Sequence, residues 1–172
     1  LRPCGGDRRA EGVLRVSGVL HLVAHIGGCG VLFDTDRVAS VVELDVATPT
    51  PGAGSAVIGL AAMRSKVATV LDVRRLLDLP PRVVSEGARI GHAVAAMVDG
   101  HLYAIAVDSL EDIGTFTIEA PPAGLGAPGD GKDSDAEAQP GWDFVSGVAG
   151  GSGETLIVLD IERLVERASA IA

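Results

Sequence analysis

Two histidines, a glycine-rich hexapeptide and a short acidic run are the places where residue type and spacing could do chemistry. His21 and His25 stand four apart, the spacing with which a helix offers two imidazoles to one metal ion. Gly124-Leu-Gly126-Ala-Pro-Gly129 fits the glycine pattern that cradles a dinucleotide pyrophosphate between a strand and a helix. Asp133, Asp135 and Glu137 alternate as the first ligands of a calcium loop do. Gly150-Gly-Ser152-Gly153 approaches the turn that presents a hydrolase serine, and Glu111-Asp112 is a pair of adjacent carboxylates.

The surroundings of each argue against that chemistry. Val19, Leu20, Leu22, Val23 and Ile26 flank the histidines, a composition that reads as a strand. At ~3.3 Å per residue the two rings then stand ~13 Å apart, too far to share an ion, and are expected as surface or edge histidines. The glycine hexapeptide has no strand before it and no helix after it. The acidic run lacks the glycine of a calcium loop and has Phe144 where the bidentate glutamate belongs. Glu154 replaces the last glycine of the serine turn. Neighbouring carboxylates on a strand face opposite ways, and Glu111-Asp112 is expected in an exposed turn after Asp108. No nucleophile, base and orienting group come together, so no catalytic residue, metal or cofactor is expected. A binding module is favoured over an enzyme.

The elements that would carry these residues are mostly short. From Val13 onward, apolar runs of four to eight residues rich in Val, Ile and Leu are bounded by Gly, Pro or Asp, which is how strands read. They cover 13–16, 19–25, 30–33, 38–43, 66–71, 92–98, 102–107, 116–118, 144–149 and 156–159. Two stretches read as helical. Asp72 opens a short turn that Pro80-Pro81 ends, and Asp160 caps a segment with Ile161, Leu164, Val165, Ala168 and Ile171 on one stripe. Residues 1–12 are polar and aperiodic and read as a flexible tail. Residues 122–141 form a loop rich in glycine, proline and acid; with Pro121 it holds four acidic residues and one lysine, a net −3 of the chain's −9.

Composition excludes several classes. The 172 residues are 47% hydrophobic and 22% charged, which is globular rather than disordered. A chain of this length buries roughly 68–70% of its unfolded surface. No run reaches the ~18–20 apolar residues of a membrane span, so direct membrane insertion is not expected. Five aromatics and a net charge of −9 leave neither stacking platforms nor a basic footprint, and no nucleic-acid partner is expected. Cys4 and Cys29 are too few for a disulfide scaffold or a four-ligand zinc site. No apolar stretch precedes Cys4, so lipidation is not expected, and a reducing cytoplasm is the default.

An internal repeat is more informative. Thr69-Val-Leu-Asp-Val-Arg-Arg-Leu-Leu and Ile157-Val-Leu-Asp-Ile-Glu-Arg-Leu-Val recur at an offset of 88. A fainter pair, Val31-Leu-Phe-Asp34 and Ala104-Ile-Ala-Val-Asp108, precedes each copy. The order A, B, A′, B′ predicts two similar β lobes, each too small to be stable alone, on a shared core.

Four stretches together resemble the CheW-like domain family. Val31-Leu-Phe-Asp34 with Val38-Ala-Ser-Val-Val-Glu43-Leu is similar to its early strand pair. Ile58-Gly-Leu-Ala-Ala-Met-Arg64, followed by Val70-Leu-Asp72, is similar to its Gly-Val/Ile-Ile-Asn-Leu-Arg-Gly…Ile-Asp-Leu motif. Ala106-Val-Asp108…Asp112-Ile resembles its Val-Asp…Asp/Glu-Val segment. Phe144-Val-Ser-Gly-Val-Ala with Ile157-Val-Leu-Asp-Ile-Glu-Arg-Leu resembles its closing motif. Ala62, Ser65 and Thr69 depart from the asparagine, glycine and proline of the central motif.

The resemblance implies a mainly β fold: two five-stranded Src-homology-3-like β-barrel lobes around a shared core, with a C-terminal helix. Lobe one would take about 13–60 plus 142–172, and lobe two about 61–121, within a single domain over 13–172. It implies a cytoplasmic adaptor, at membrane-associated receptor arrays, that links methyl-accepting chemoreceptors to the regulatory domain of the histidine kinase CheA without catalysis. The partner-binding positions it indicates are Glu43, Arg64, Val38, Val41 and Ile58. Asp72, Asp108, Asp160 and Gly59 are expected as structural turn or cap residues. Two other readings compete: a small-molecule-binding barrel or degenerate enzyme using the cleft between lobes, and one module of a larger signalling protein.

Overall fold

The computed structural model describes residues 15–82, 87–122, 143–151 and 153–170. The expected tail, the glycine hexapeptide and the acidic run lie outside them. Among the described residues there are ten strands: β1 (Arg15–Ile26), β2 (Cys29–Asp34), β3 (Ser40–Leu44), β4 (Val57–Met63), β5 (Lys66–Leu71), β6 (Gly91–Val98), β7 (His101–Ala106), β8 (Ser109–Ile118), β9 (Val145–Gly151) and β10 (Glu154–Leu159). One 3-10 turn spans Arg74–Leu77, and one helix, α1, spans Ile161–Ala170. The predicted stripe is the buried face of α1, through Ile161, Leu164, Val165 and Ala168, with Ile171 outside the described residues.

The strands form two five-stranded mixed sheets, in the orders β8-β1-β2-β10-β9 and β3-β6-β7-β5-β4. Each has one parallel pair, β2 with β10 and β5 with β7. A single bridge draws the outer strands of each sheet together. Thr48 and Leu60 exchange N–H···O bonds of 2.7 and 2.8 Å, and Glu119 and Val148 exchange bonds of 2.8 and 3.0 Å. This curling is consistent with the double Src-homology-3-like fold that the resemblance implies.

Central strands are buried on both faces, which is why they read as unbroken apolar runs instead of alternating ones. In β2, Val31 and Phe33 face a core shared by the two sheets, whereas Leu32 faces the inside of its own sheet. In β7, Ile105 faces the shared core and Ala104 and Ala106 face inward. The shared core is the largest and includes the buried face of α1. The second sheet is lined inside by Ala61, Ala68, Ala93, Ala104 and Ala106 with Val70 and Leu44. Small side chains fit the narrow interior of a small curled sheet, and they account for the low aromatic content.

The repeat appears in three dimensions with its parts exchanged. The β4–β5 and β9–β10 hairpins are equivalent, with element bounds 88 residues apart. Asp72 N–H donates to the Ala56 carbonyl and Asp160 N–H to the Phe144 carbonyl, both at 2.8 Å. Yet β5 lies beside β7, and β10 beside β2. Each sheet therefore combines a two-stranded hairpin from one half of the chain with three strands from the other. Consequently β3 belongs to the second sheet and β8 to the first, each across the lobe boundary expected at about 60/61, which β4 itself straddles. Both copies of the motif are equally apolar, so the residue pattern carries no information about which neighbour each copy pairs with.

Two further expectations are corrected. Glu111-Asp112 lies inside β8, not in a turn. β4 is absent from the expected strands, because Gly59 and the two alanines Ala61 and Ala62 interrupt its run.

Candidate functional site

Of the residues singled out for partner binding, Glu43 and Val41 share the outward face of β3; Val41 is 45% exposed. Glu43 is held by Arg89, whose Nη2 lies 2.9 Å from Glu43 Oε1 and whose Nε lies 3.1 Å from Asp45 Oδ1. All three side chains are well exposed, so the cluster contributes little to stability and is free to exchange partners. Arg64 occupies the β4–β5 turn with φ 55°, is exposed, and has no side-chain partner among the described residues. Left-handed backbone at a non-glycine costs about 1 kcal/mol, and here it sets an unpaired guanidinium at the tip of a hairpin.

The five positions do not meet in one patch. Glu43 pairs with His92 at the start of β6. The β4–β5 turn lies instead at the end of the sheet that holds the β6–β7 turn, because Ala68 pairs with Leu102. Glu43 and Arg64 thus mark opposite ends of the second sheet. Val38 packs against the shared core, and Ile58 is half-buried against the interior of the second sheet.

Beside Arg64 lies a strip that residue typing missed. Leu60 and Ala62 of β4 stand opposite Thr69 and Val67 of β5, all on one face. Leu60 is 40% exposed and Val67 63%. The signal available in sequence was the alternation on both sides of the Arg64-Ser65 turn. Apolar surface ending at a five-donor cation is suited to protein contact.

The aspartates serve the framework. Asp72 accepts N–H from Arg74 (3.1 Å) and Arg82 (3.3 Å), and Asp160 accepts N–H from Arg163 (3.2 Å). Asp108 ties the two sheets. Its Oδ2 accepts the Gly27 N–H of the β1–β2 turn at 2.5 Å, while Oδ1 lies 2.6 Å from Arg74 Nη2 and 3.2 Å from Arg82 Nη2. Burial works to raise its pKa, but the Gly27 N–H and the two guanidiniums outweigh it and hold the carboxyl below its ordinary 3.8. Gly59 lies inside β4, next to the Thr48–Leu60 bridge.

The histidines share β1, as expected, but not a common environment. His25 is partly exposed, with Nδ1 3.4 Å from Glu111 Oε1 and Nε2 3.3 Å from Glu154 Oε2. His21, expected at the surface, is only 5% exposed, because β8 covers the side of β1 away from β2 and Phe116 packs edge-on to its ring. Cys29 is buried and disulfide-bonded; the chain's other cysteine, Cys4, lies outside the described residues. Among the described residues, no group of three or more His, Cys, Asp or Glu side chains could hold a metal ion.

The profile of the CheW-like domain matches residues 20–169. The fold is similar to that of the scaffolding protein TtCheW from Thermoanaerobacter tengcongensis, with a TM-score of 0.65 at 19% identity, covering 86% of this chain and 92% of that one. No curated protein sequence matches the chain. With the match running from within β1 through the other nine strands and into α1, this chain belongs to the CheW-like domain family.

Proposed function

We propose that this chain is a coupling adaptor that links methyl-accepting chemoreceptors to the histidine kinase CheA through protein contacts, without catalysis. The observation that carries the reading is the unpaired Arg64 at the end of the exposed Leu60–Ala62–Val67 strip. It occupies the position of the arginine in the family's central motif. Membership of a family of scaffolding domains supports the same role. Among the described residues no helix is long and apolar enough to cross a membrane, which fits a protein recruited by contact.

The test is binding of the purified chain to the kinase regulatory domain and to receptor cytoplasmic fragments. Arg64→Glu is expected to weaken at least one of these at least tenfold, because it reverses the charge and removes the donor fork. Its thermal midpoint should stay unchanged, since the side chain is exposed and unpaired. Unaltered binding of both partners by the variant would remove Arg64 from the interface. Absence of binding by the unaltered chain would sink the adaptor reading.

A further inference from the structure

The first sheet opens at one end into a cleft of about 750 Å³ that no partner contact assigned above uses. His21, Asp34, Glu119, Asp160 and Glu162 line it, over a floor that includes Ile118 and Val158. His21 and Asp34 are directly opposed on β1 and β2, so their side chains share the inner face at the open end. His21 is the single polar residue among the described buried ones. Its Nδ1 donates to the Val19 carbonyl at 3.1 Å, and Nε2 has no partner among the described residues.

Several carboxylate oxygens in the cleft are likewise uncommitted. Asp34 uses Oδ1 on the Asp36 N–H at 2.9 Å, and its Oδ2 has no partner among the described residues. The Glu119 side chain has no partner among the described residues, although its backbone forms the closing bridge. Glu162 is occupied by Arg37, the one lining cation. Asp160 lies beside Arg163, whose Nε is 3.9 Å from its Oδ2, so Asp34 and Glu119 are the lining carboxylates without a cationic partner among the described residues, with the His21 ring at the inner wall.

We infer that this cleft is a second docking site, which takes an arginine or lysine side chain from an apolar, basic segment of a partner protein. The cation would lie between His21 Nε2, Asp34 and Glu119, and its methylenes would cover Ile118 and Val158. Charge complementarity selects a cation, and the apolar floor selects one on an aliphatic stem. One side of the cleft is open, so a side chain reaching in from a larger body fits it better than a small ligand, which a site of this size would enclose. The site lies on the first sheet, whereas Glu43 and Arg64 lie on the second, so it does not depend on the kinase or receptor reading.

The experiment follows the His21 ring resonances during titration of the full chain with acetyl-Val-Arg-Val-amide. Saturable shifts at His21 are expected, with affinity at least tenfold weaker for the same peptide carrying citrulline, which keeps the shape and removes the charge. Asp34→Asn combined with Glu119→Gln should weaken the arginine peptide at least tenfold, and Arg64→Glu should leave it unchanged. His21→Phe should weaken it also, and should it fail to fold, the variants at the half-buried Asp34 and Glu119 still decide the matter. Equal binding of the citrulline peptide, or unchanged binding by the carboxylate variant, would overturn the site. Agmatine binding as tightly as the peptide would overturn the assignment to a protein segment.

Discussion

Asp108 shows how one residue can hold two sheets together. Sequence typing placed it at the end of an apolar run, and that much was legible, because an aspartate after a strand commonly satisfies a turn. Its two arginine partners were not legible, since Arg74 and Arg82 stand 34 and 26 residues away. A carboxyl with its folded pKa held below the unfolded value stabilises the fold fully above that unfolded value, and loses this contribution as pH falls through the folded pKa. Asp108→Asn should therefore lower the urea midpoint at pH 7, and the gap to the unaltered chain should narrow as the pH falls below about 4. A gap that stays constant down to pH 2 would mean that the charge of Asp108 contributes nothing. His21 was misread for a related reason: its burial depends on β8, which comes almost a hundred residues later.

At the scale of elements, Gly59 and Gly147 occupy equivalent places in β4 and β9, each one residue before the bridge that curls its sheet. A Cβ on Gly59 would overlap the Thr48 carbonyl oxygen, and at φ 155° the backbone itself resists a side chain. A Cβ on Gly147 would stand 2.5 Å from Ile118 Cγ2 and 2.9 Å from the Glu119 oxygen. Gly59→Ala and Gly147→Ala should each destabilise the fold by about 2 kcal/mol or more, readable by denaturant unfolding. Gly100→Ala is the control for steric overlap, because a Cβ there meets nothing within 4 Å. It should cost less than either, leaving only its positive φ to resist the side chain. The strands were largely legible because their apolar runs are sharply bounded. β4 and the first part of β8 were not, since alanine, glycine and acidic residues can line a sheet edge without marking it.

For the molecule as a whole, the shared core predicts one cooperative transition. Phe33 is fully buried where the sheets meet, and Phe33→Ala should cost about 3–5 kcal/mol through the cavity left behind. Because each sheet borrows strands from both halves of the chain, neither can unfold alone. The calorimetric and van't Hoff enthalpies of the variant should stay equal, and a second resolved transition would show that the sheets are independent units. Removing most of residues 122–141 should leave soluble, folded protein with a thermal midpoint near that of the full chain, since that segment offers almost no apolar surface to bury. Insoluble product would show that the segment contributes to the core.

By itself the sequence determined the mainly β class, the terminal helix with its buried stripe, the two copies of the Val-Leu-Asp turn and the family. These rest on local periodicity and on spacing along the chain, which need no partner to be read. Only the tertiary structure decided that the copies pair across the halves, that Glu43 and Arg64 stand at opposite ends of one sheet, and that His21 lines an acidic cleft. Strand pairing is a choice among equally apolar neighbours, and it is made by long-range packing on the shared core, where every candidate run satisfies the same local rule.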